Sequence, residues 1–264
     1  MSVLVAIPAR YASSRYPGKP LVSLRGPDGD KTLIQRSWEA AMAVNGVDRV
    51  VVATDDDRIR GHATGFGAEV VMTSAAAQNG TERCAEVAQH LAGYDVVVNL
   101  QGDAPLTPAW FVEDLISGLL GDDSADIATP VLRCDGRMLA GLLADRRAGQ
   151  VGGTTAVFGA GGRGLYFSKE VIPFTGKTFA DDDPTPVFHH VGVYAYRPAA
   201  LAAYPGWTIG PLEHLEGLEQ LRFLENGRRV LCVEVQARGR QFWELNNPSD
   251  VAVIEAMLAA MGAP

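Results

Sequence analysis

The chain has 264 residues, 47% of them hydrophobic and 20% charged, with a formal net charge of −8. It can bury a large core as one α/β unit or one and a half domains, and its negative balance argues against a general binder of nucleic acid or anionic membranes. Three scattered cysteines (Cys84, Cys134, Cys232) form neither a disulfide framework nor a zinc pattern, no apolar run approaches the length of a membrane span, and the apolar run that opens the chain is too short for a signal peptide, so a reducing cytoplasm is the expected compartment.

Residues 3–7 form a short apolar run that predicts a buried strand. Helical spacing follows over 32–45, with Gly46 as its stop, and "RVVVAT" at 49–54 predicts a second buried strand. A helix over 57–65, a strand over 69–73, a helix over 81–91, a strand over 95–100 and a helix over 108–120 continue the alternation. Apolar strands alternating with helices imply a mostly parallel sheet with helices on both faces. After about residue 125 the rhythm changes. Strand-like segments at 127–132, 152–158, 164–167 and 187–196 have few helices between them and predict an inserted antiparallel part at about 125–200 within one domain. An amphipathic helix over 211–226, a strand over 229–235 and a last helix capped by Asn247, with Pro248 at its first position, complete the chain.

In an open parallel sheet, ligands sit outside the carboxyl ends of the strands. Three segments fall there: the loop after the first strand, "TDDD" at 54–57 and "QGDAP" at 101–105. The first loop strings out Arg10, Arg15 and Lys19 with two serines and Gly18, and this much positive charge in an acidic chain suggests a small anionic ligand. Guanidinium forks match phosphate oxygens, lysine adds a point charge, and glycine lets the backbone approach. The loop is neither GxxxxGK[ST] nor GxGxxG. Asp103, just past a buried strand, reads either as a turn aspartate or as a carboxylate that holds Mg²⁺ against phosphate, with Gln101 beside it as a hydrogen-bonding group. Asp55, Asp56 and Asp57 are read as capping the next helix.

"IPARYASSRYPGKPL" resembles the signature of the cytidylyltransferases that make CMP-activated sugar acids, in particular 3-deoxy-manno-octulosonate (KDO) cytidylyltransferase. The similarity continues in order through "VVVATDD", "NGTER", "VVVNLQGDAPL", "HHVGVYAYR", "PLEHLEGLEQLRFLENG" and "NNPSDV". It implies a nucleotide-diphospho-sugar transferase-like α/β fold and a reaction that uses CTP and Mg²⁺ and releases pyrophosphate. The triphosphate falls to the opening loop, with Arg10 and Lys19 foremost and Ser13 and Arg15 beside them. Asn79, Gly80, Arg83 and Gln101 fall to the rest of the nucleotide, and Arg10, Lys19 and Asp103 to the chemistry. Lys169, His190, Glu219 and Gln220 fall to the acceptor. A homodimer is expected.

Three departures bear on acceptor and metal. Ala104 stands where the family has an acid, Lys169 where it often has arginine, and Asn246 where it has the second aspartate ligand to magnesium, so metal is expected on Asp103 and more weakly on Asn246. With the nucleotide motifs unchanged, these departures favour a smaller, more anionic acceptor, a phosphonate such as phosphonoformate in phosphonate biosynthesis, with KDO as the alternative. A nucleotide-sugar glycosyltransferase using the acids at 55–57, or a non-catalytic nucleotide-binding protein, are the more distant rivals.

Overall fold

The computed structural model describes residues 1–13, 16–151, 153–240 and 243–261. Two compact units divide it, the first made of Met1–Glu113 with Arg238–Pro264 and the second of Asp114–Ala237.

In the first unit β1 (Val3–Ala9) is apolar throughout, and Leu4, Val5, Ala6 and Ile7 are completely buried, as expected for a strand covered on both faces. It lies between β4 (Arg49–Thr54) and β6 (Val96–Leu100), parallel to both, and β5 (Glu69–Met72) extends the sheet beyond β4, again parallel. A small hairpin, β2 (Ser23–Leu24) with β3 (Lys31–Thr32), precedes α1 (Leu33–Met42), whose first turn is capped by the Thr32 hydroxyl. The crossovers are α1, α2 (Asp57–Gly65) and α3 (Gly80–His90). All four strands end on one edge, so the segments that begin at Arg10, Asp55, Thr73 and Gln101 leave the sheet there. The last helix, α9 (Asp250–Met261), packs Ile254 and Leu258 into a cluster with Leu24, Leu33, Leu106 and Leu245. It starts at Asp250 and not at the expected Pro248, because the Asp250 carboxylate accepts from the backbone N–H groups of Asn246 (2.9 Å) and Asn247 (2.6 Å).

The helix α4 (Ala109–Gly121) runs from the end of the first unit into the second. There β7 (Ile127–Asp135) is central: β12 (Val230–Val235) pairs with it in parallel, while β10 (Pro184–His190) and β11 (Val193–Tyr196) pair with it antiparallel. β8 (Thr154–Phe158) and β9 (Gly164–Ser168) extend the sheet antiparallel beyond β10. The mixed sheet bears out the antiparallel character expected of this region.

Two local expectations are corrected in this unit. The strand foreseen over 187–196 is two strands, separated by a tight turn in which Val193 N–H donates to the Val191 carbonyl at 2.7 Å. The helix foreseen over 211–226 is α7 (Pro211–Glu216) and α8 (Leu221–Glu225), because Gly217 adopts φ +63° and closes the first with a left-handed cap; a short α6 (Pro198–Ala203) precedes them. A full helix, α5 (Gly136–Arg147), stands between the strands where the sequence placed none in particular, capped by Asp135 and burying Leu139 and Leu142. Gly152, part of the expected strand at 152–158, lies outside the described residues.

Candidate active site

The opening loop closes on Tyr11. Its carbonyl accepts from the N–H groups of Ser13 (3.0 Å) and Gly18 (2.9 Å), while the Ser13 hydroxyl accepts from Tyr16 N–H (3.3 Å). Gly18 has φ +74°, and a Cβ there would lie 3.0 Å from the Tyr11 ring, so both conformation and space demand glycine. Arg10 stands exposed where the loop begins, and Lys19 opens a 3-10 turn where it ends. Arg15 lies outside the described residues.

Lys19 does not point away from the chain's acids. Its ammonium donates to the Asp103 carboxylate at 2.5 Å and to the Leu245 carbonyl at 3.0 Å, in a half-buried setting. The turn that presents Asp103 is fixed by its neighbours. A Cβ on Gly102 would fall 2.6 Å from the Pro8 carbonyl, and the buried Ser37 hydroxyl donates to Gly102 at 3.1 Å. The Leu245 N–H donates to the Asp103 carbonyl at 2.9 Å, which brings the segment carrying Asn246 to the same place. Lys19, Asp103 and Asn246 are therefore gathered in one unit, although 84 and 143 positions separate their segments. Ala104, which stands where the family has an acid, is buried. Among the described residues no three His, Cys, Asp or Glu side chains are grouped to hold a metal ion.

A second group forms at the start of α3. The Asn79 side chain accepts from Glu82 N–H at 2.9 Å as the helix cap, and the Glu82 carboxylate accepts from Gln78 N–H at 2.8 Å. A Cβ on Gly80 would lie 3.0 Å from the Asn99 amide nitrogen and 3.1 Å from that of Gln101. Two amides at the end of β6 thus pack against the helix start, and Asn79, Gly80 and Gln101 come together as expected. Asn99 was missed, although an amide buried among valines in "DVVVNL" is a signal in itself.

Arg83 is 3% exposed, donates to the Thr73 hydroxyl and pairs with Asp55 at 3.4 Å. It is a buried tie between the ends of β4 and β5. Asp56 caps α2, accepting from the N–H groups of Arg58 and Ile59, and the Arg58 guanidinium holds its carboxyl below the usual range. Asp57 pairs with Arg60 on the surface. These acids are committed to capping and pairing, so a glycosyltransferase use of them is not what the fold builds.

The residues expected for the acceptor all lie in the second unit. The Glu216 carboxylate, at the end of α7, accepts from the hydroxyls of Ser168 (2.6 Å) and Tyr166 (3.2 Å) and from Lys169 N–H (2.9 Å). It fixes the strand end that carries Lys169, and the sequence reading overlooked it. A Cβ on Gly217 would lie 3.1 Å from the Lys169 ammonium. His190 is buried on β10, 2.9 Å from the Thr129 hydroxyl, with its ring against those of Phe167 and Tyr194. Burial pushes its pKa down to about 3 and that of His189 to about 4, so both rings are neutral at pH 7. Tyr194 O–H donates to the Gln220 side-chain carbonyl at 3.0 Å, while the buried Gln220 amide nitrogen has no hydrogen-bond partner among the described residues. Glu219 is half-buried, and its backbone carbonyl accepts from Tyr204 O–H at 3.1 Å. His190, Tyr194 and Gln220 thus form one chain of contacts, and Lys169 with Glu216 a separate one.

A parallel α/β sheet whose strand ends carry a cationic loop, a lysine–aspartate pair and a glycine-started helix has the features of a nucleotidyltransferase. The comparisons agree: a family model described as cytidylyltransferase matches residues 4–230. A 3-deoxy-manno-octulosonate cytidylyltransferase from Maricaulis maris (strain MCS10) is 43% identical over 99% of both chains, and one from Chlamydia pneumoniae is 39% identical over 97% of this chain and 93% of its own. An 8-amino-3,8-dideoxy-manno-octulosonate cytidylyltransferase from Shewanella piezotolerans (strain WP3 / JCM 13877) is 39% identical over 98% of this chain and 99% of its own. A solved structure of CMP:2-keto-3-deoxy-manno-octonic acid synthetase complexed with CTP superposes with a TM-score of 0.83, at 32% identity, covering 99% of this chain and 100% of that one. The chain belongs to the 3-deoxy-manno-octulosonate cytidylyltransferase family, and it is a CTP-dependent nucleotidyltransferase.

Proposed function

We propose that the chain transfers CMP from CTP to an eight-carbon sugar acid, KDO, with release of pyrophosphate. The small phosphonate favoured from the departures in sequence is set aside, because relatives matching over nearly the full length are named for octulosonates. The observation that carries the nucleotidyl half is the meeting of Lys19, Asp103 and Leu245 beside the cationic loop.

In this reading Arg10, Ser13, Arg15 and Lys19 receive the triphosphate, Asn79, Gly80 and Gln101 face the base and ribose, and Arg83 supports that part of the nucleotide site. Arg83 acts there through its ties to Thr73 and Asp55. An acceptor oxygen attacks the α-phosphorus in line with the departing group. The new oxygen–phosphorus bond forms, the α–β bridging bond breaks, pyrophosphate leaves with the electron pair, and the acceptor's proton goes to solvent. Positioning and charge neutralisation supply the acceleration, with no enzyme-bound nucleotidyl intermediate. Mg²⁺ commonly takes one or two protein carboxylates and completes its shell with water and phosphate oxygens, and the residues at this junction fit that pattern. Asp103 would hold the ion, with the Asn246 side-chain carbonyl as an uncharged helper. When bound, the ion supplies charge neutralisation on the phosphates.

Lys169 receives the acceptor's carboxylate, and Glu219 and Gln220 its hydroxyls. His190, neutral, serves only as a hydrogen-bonding wall. The test compares Glu219→Ala and Gln220→Ala with KDO and with phosphonoformate as acceptors, following pyrophosphate release. A hydroxyl-rich acceptor requires both side chains. Turnover of phosphonoformate that both variants leave intact, with none of KDO, would return the acceptor to the phosphonate class.

A further inference from the structure

The opening loop is held by a stack that its cations do not explain. The Arg58 guanidinium carbon lies 3.4 Å from the centroid of the Tyr11 ring. That ring also meets Gly18, where a Cβ would stand only 3.0 Å away. Tyr11 therefore has a cation on its ring and the loop's closing glycine against its edge. Its own carbonyl accepts the N–H groups of Ser13 and Gly18, so one residue bonds to both limbs of the loop. Arg58 is fixed in turn: its guanidinium donates to both oxygens of the Asp56 carboxylate, at 3.0 and 2.6 Å, and Asp56 caps α2. Arg58 is well exposed, so its pair with Asp56 adds little to the stability of the fold.

The chain of contacts runs from the rigid start of α2, through Asp56 and Arg58, to Tyr11 and Gly18. The residues on either side of the clamp are Arg10 and Lys19. Closure of Tyr11 on Gly18 thus sets how far apart those two cations stand. Guanidinium is suited to this because it is planar, always charged and able to stack while its fork stays bonded; a lysine would lose the stack.

We propose that Tyr11 and Arg58 are positioning residues for the triphosphate, holding the loop closed so that Arg10 and Lys19 present their charges at a fixed spacing. The inference rests on the assignment of that loop to the triphosphate. Neither side chain touches the reacting atoms. Their effect is on the cost of ordering the loop when CTP binds, and it falls on CTP and not on the acceptor.

The test measures KM for CTP, KM for the acceptor, kcat and thermal midpoint for Tyr11→Leu, Arg58→Ala, Arg58→Lys, Tyr11→Phe and the double variant Tyr11→Leu/Arg58→Ala, with Lys19→Ala as a control. Tyr11→Leu and Arg58→Ala each raise KM for CTP about two- to fivefold, the order of one stacked cation at an exposed site, with KM for the acceptor unchanged. The double variant is no worse than either single one, because one contact is removed in each case. Arg58→Lys is impaired like Arg58→Ala, and Tyr11→Phe, which keeps the ring, behaves as wild type. Unchanged KM for CTP with a lowered thermal midpoint would make the stack merely structural, and additive losses would deny the coupling; either overturns the proposal. A Lys19→Ala variant with unimpaired CTP use would instead remove the triphosphate from this loop, a failure of the underlying assignment and visible as such.

Discussion

Asp103→Asn tests the junction at its most informative point. In the wild type the Lys19 ammonium has two acceptors, the Asp103 carboxylate at 2.5 Å and the Leu245 carbonyl at 3.0 Å, and both side chains of the pair are mostly shielded from solvent. The amide keeps the shape and one oxygen but removes the countercharge, so a shielded ammonium is left with neutral acceptors. Stranding one partner of such a pair costs about 2 kcal/mol of folding stability, less than for a fully buried pair because water still reaches the site. The loss in activity is of different origin and larger. If Asp103 neutralises charge on the phosphates during transfer, its removal lowers kcat by about 10²–10³-fold, or about 3–4 kcal/mol. The two effects separate in the double variant Lys19→Met/Asp103→Asn: stability returns towards wild type because no charge is stranded, while activity stays lost. Urea unfolding followed by circular dichroism gives the first quantity, and pyrophosphate release across a magnesium titration gives the second. Full activity with an unchanged magnesium requirement in Asp103→Asn would refute the assignment, and a double variant no more stable than the single one would refute the pairing argument.

Two further outcomes follow from the second unit. Glu216→Ala deprives the Ser168 hydroxyl, the Tyr166 hydroxyl and the Lys169 N–H of their shared acceptor; it raises KM for the sugar acid while KM for CTP holds, as steady-state kinetics with each substrate varied would register. His190 has its pKa depressed by burial to about 3, so between that value and about 6.5 the unfolded chain binds a proton that the folded chain does not. Stability is therefore complete above pH 6.5 and falls as pH drops through that window, by about 2 kcal/mol at pH 5 from this residue. Unfolding midpoints at pH 7.5 and 5 should differ less in His190→Gln than in wild type, and equal differences would mean that His190 is not the titrating group.

The parallel half of the fold was legible because its strands are buried on both faces: β1, β4 and β6 read as continuous apolar runs, and each falls where those runs stand. Capping by Asp56 was legible for a similar reason, since an aspartate before a helix has a local partner. The second unit was harder. The leucine spacing over 211–226 suits one helix, but it is indifferent to whether Gly217 turns left-handed, and that conformation divides α7 from α8. The helix α5 hid behind Gly136, which is required because a Cβ there would collide with the Ala180 carbonyl, a constraint visible only in space. The site divides in the same way. Lys19 and Asp103 could be nominated singly from their places after strands, but their pairing, and the part played by Leu245, depend on folding that joins distant segments. The burial of Arg83 was not legible, because its partners, Thr73 and Asp55, come from two other strand ends. Glu216 offered no pattern at all, since its three donors lie on β9 and just past its end, about fifty positions earlier.

The central claim is that CTP and an eight-carbon sugar acid are the substrates. It is tested most directly by a competition in one vessel: the enzyme with CTP and Mg²⁺, and equal amounts of KDO, its 8-amino-3,8-dideoxy analogue and phosphonoformate, with the cytidylylated products separated and identified by mass. The account predicts that the octulosonate products dominate, with CMP-KDO foremost, and that one pyrophosphate appears for each. A product pool dominated by the phosphonate adduct, or CTP left intact beside all three acceptors, would contradict it.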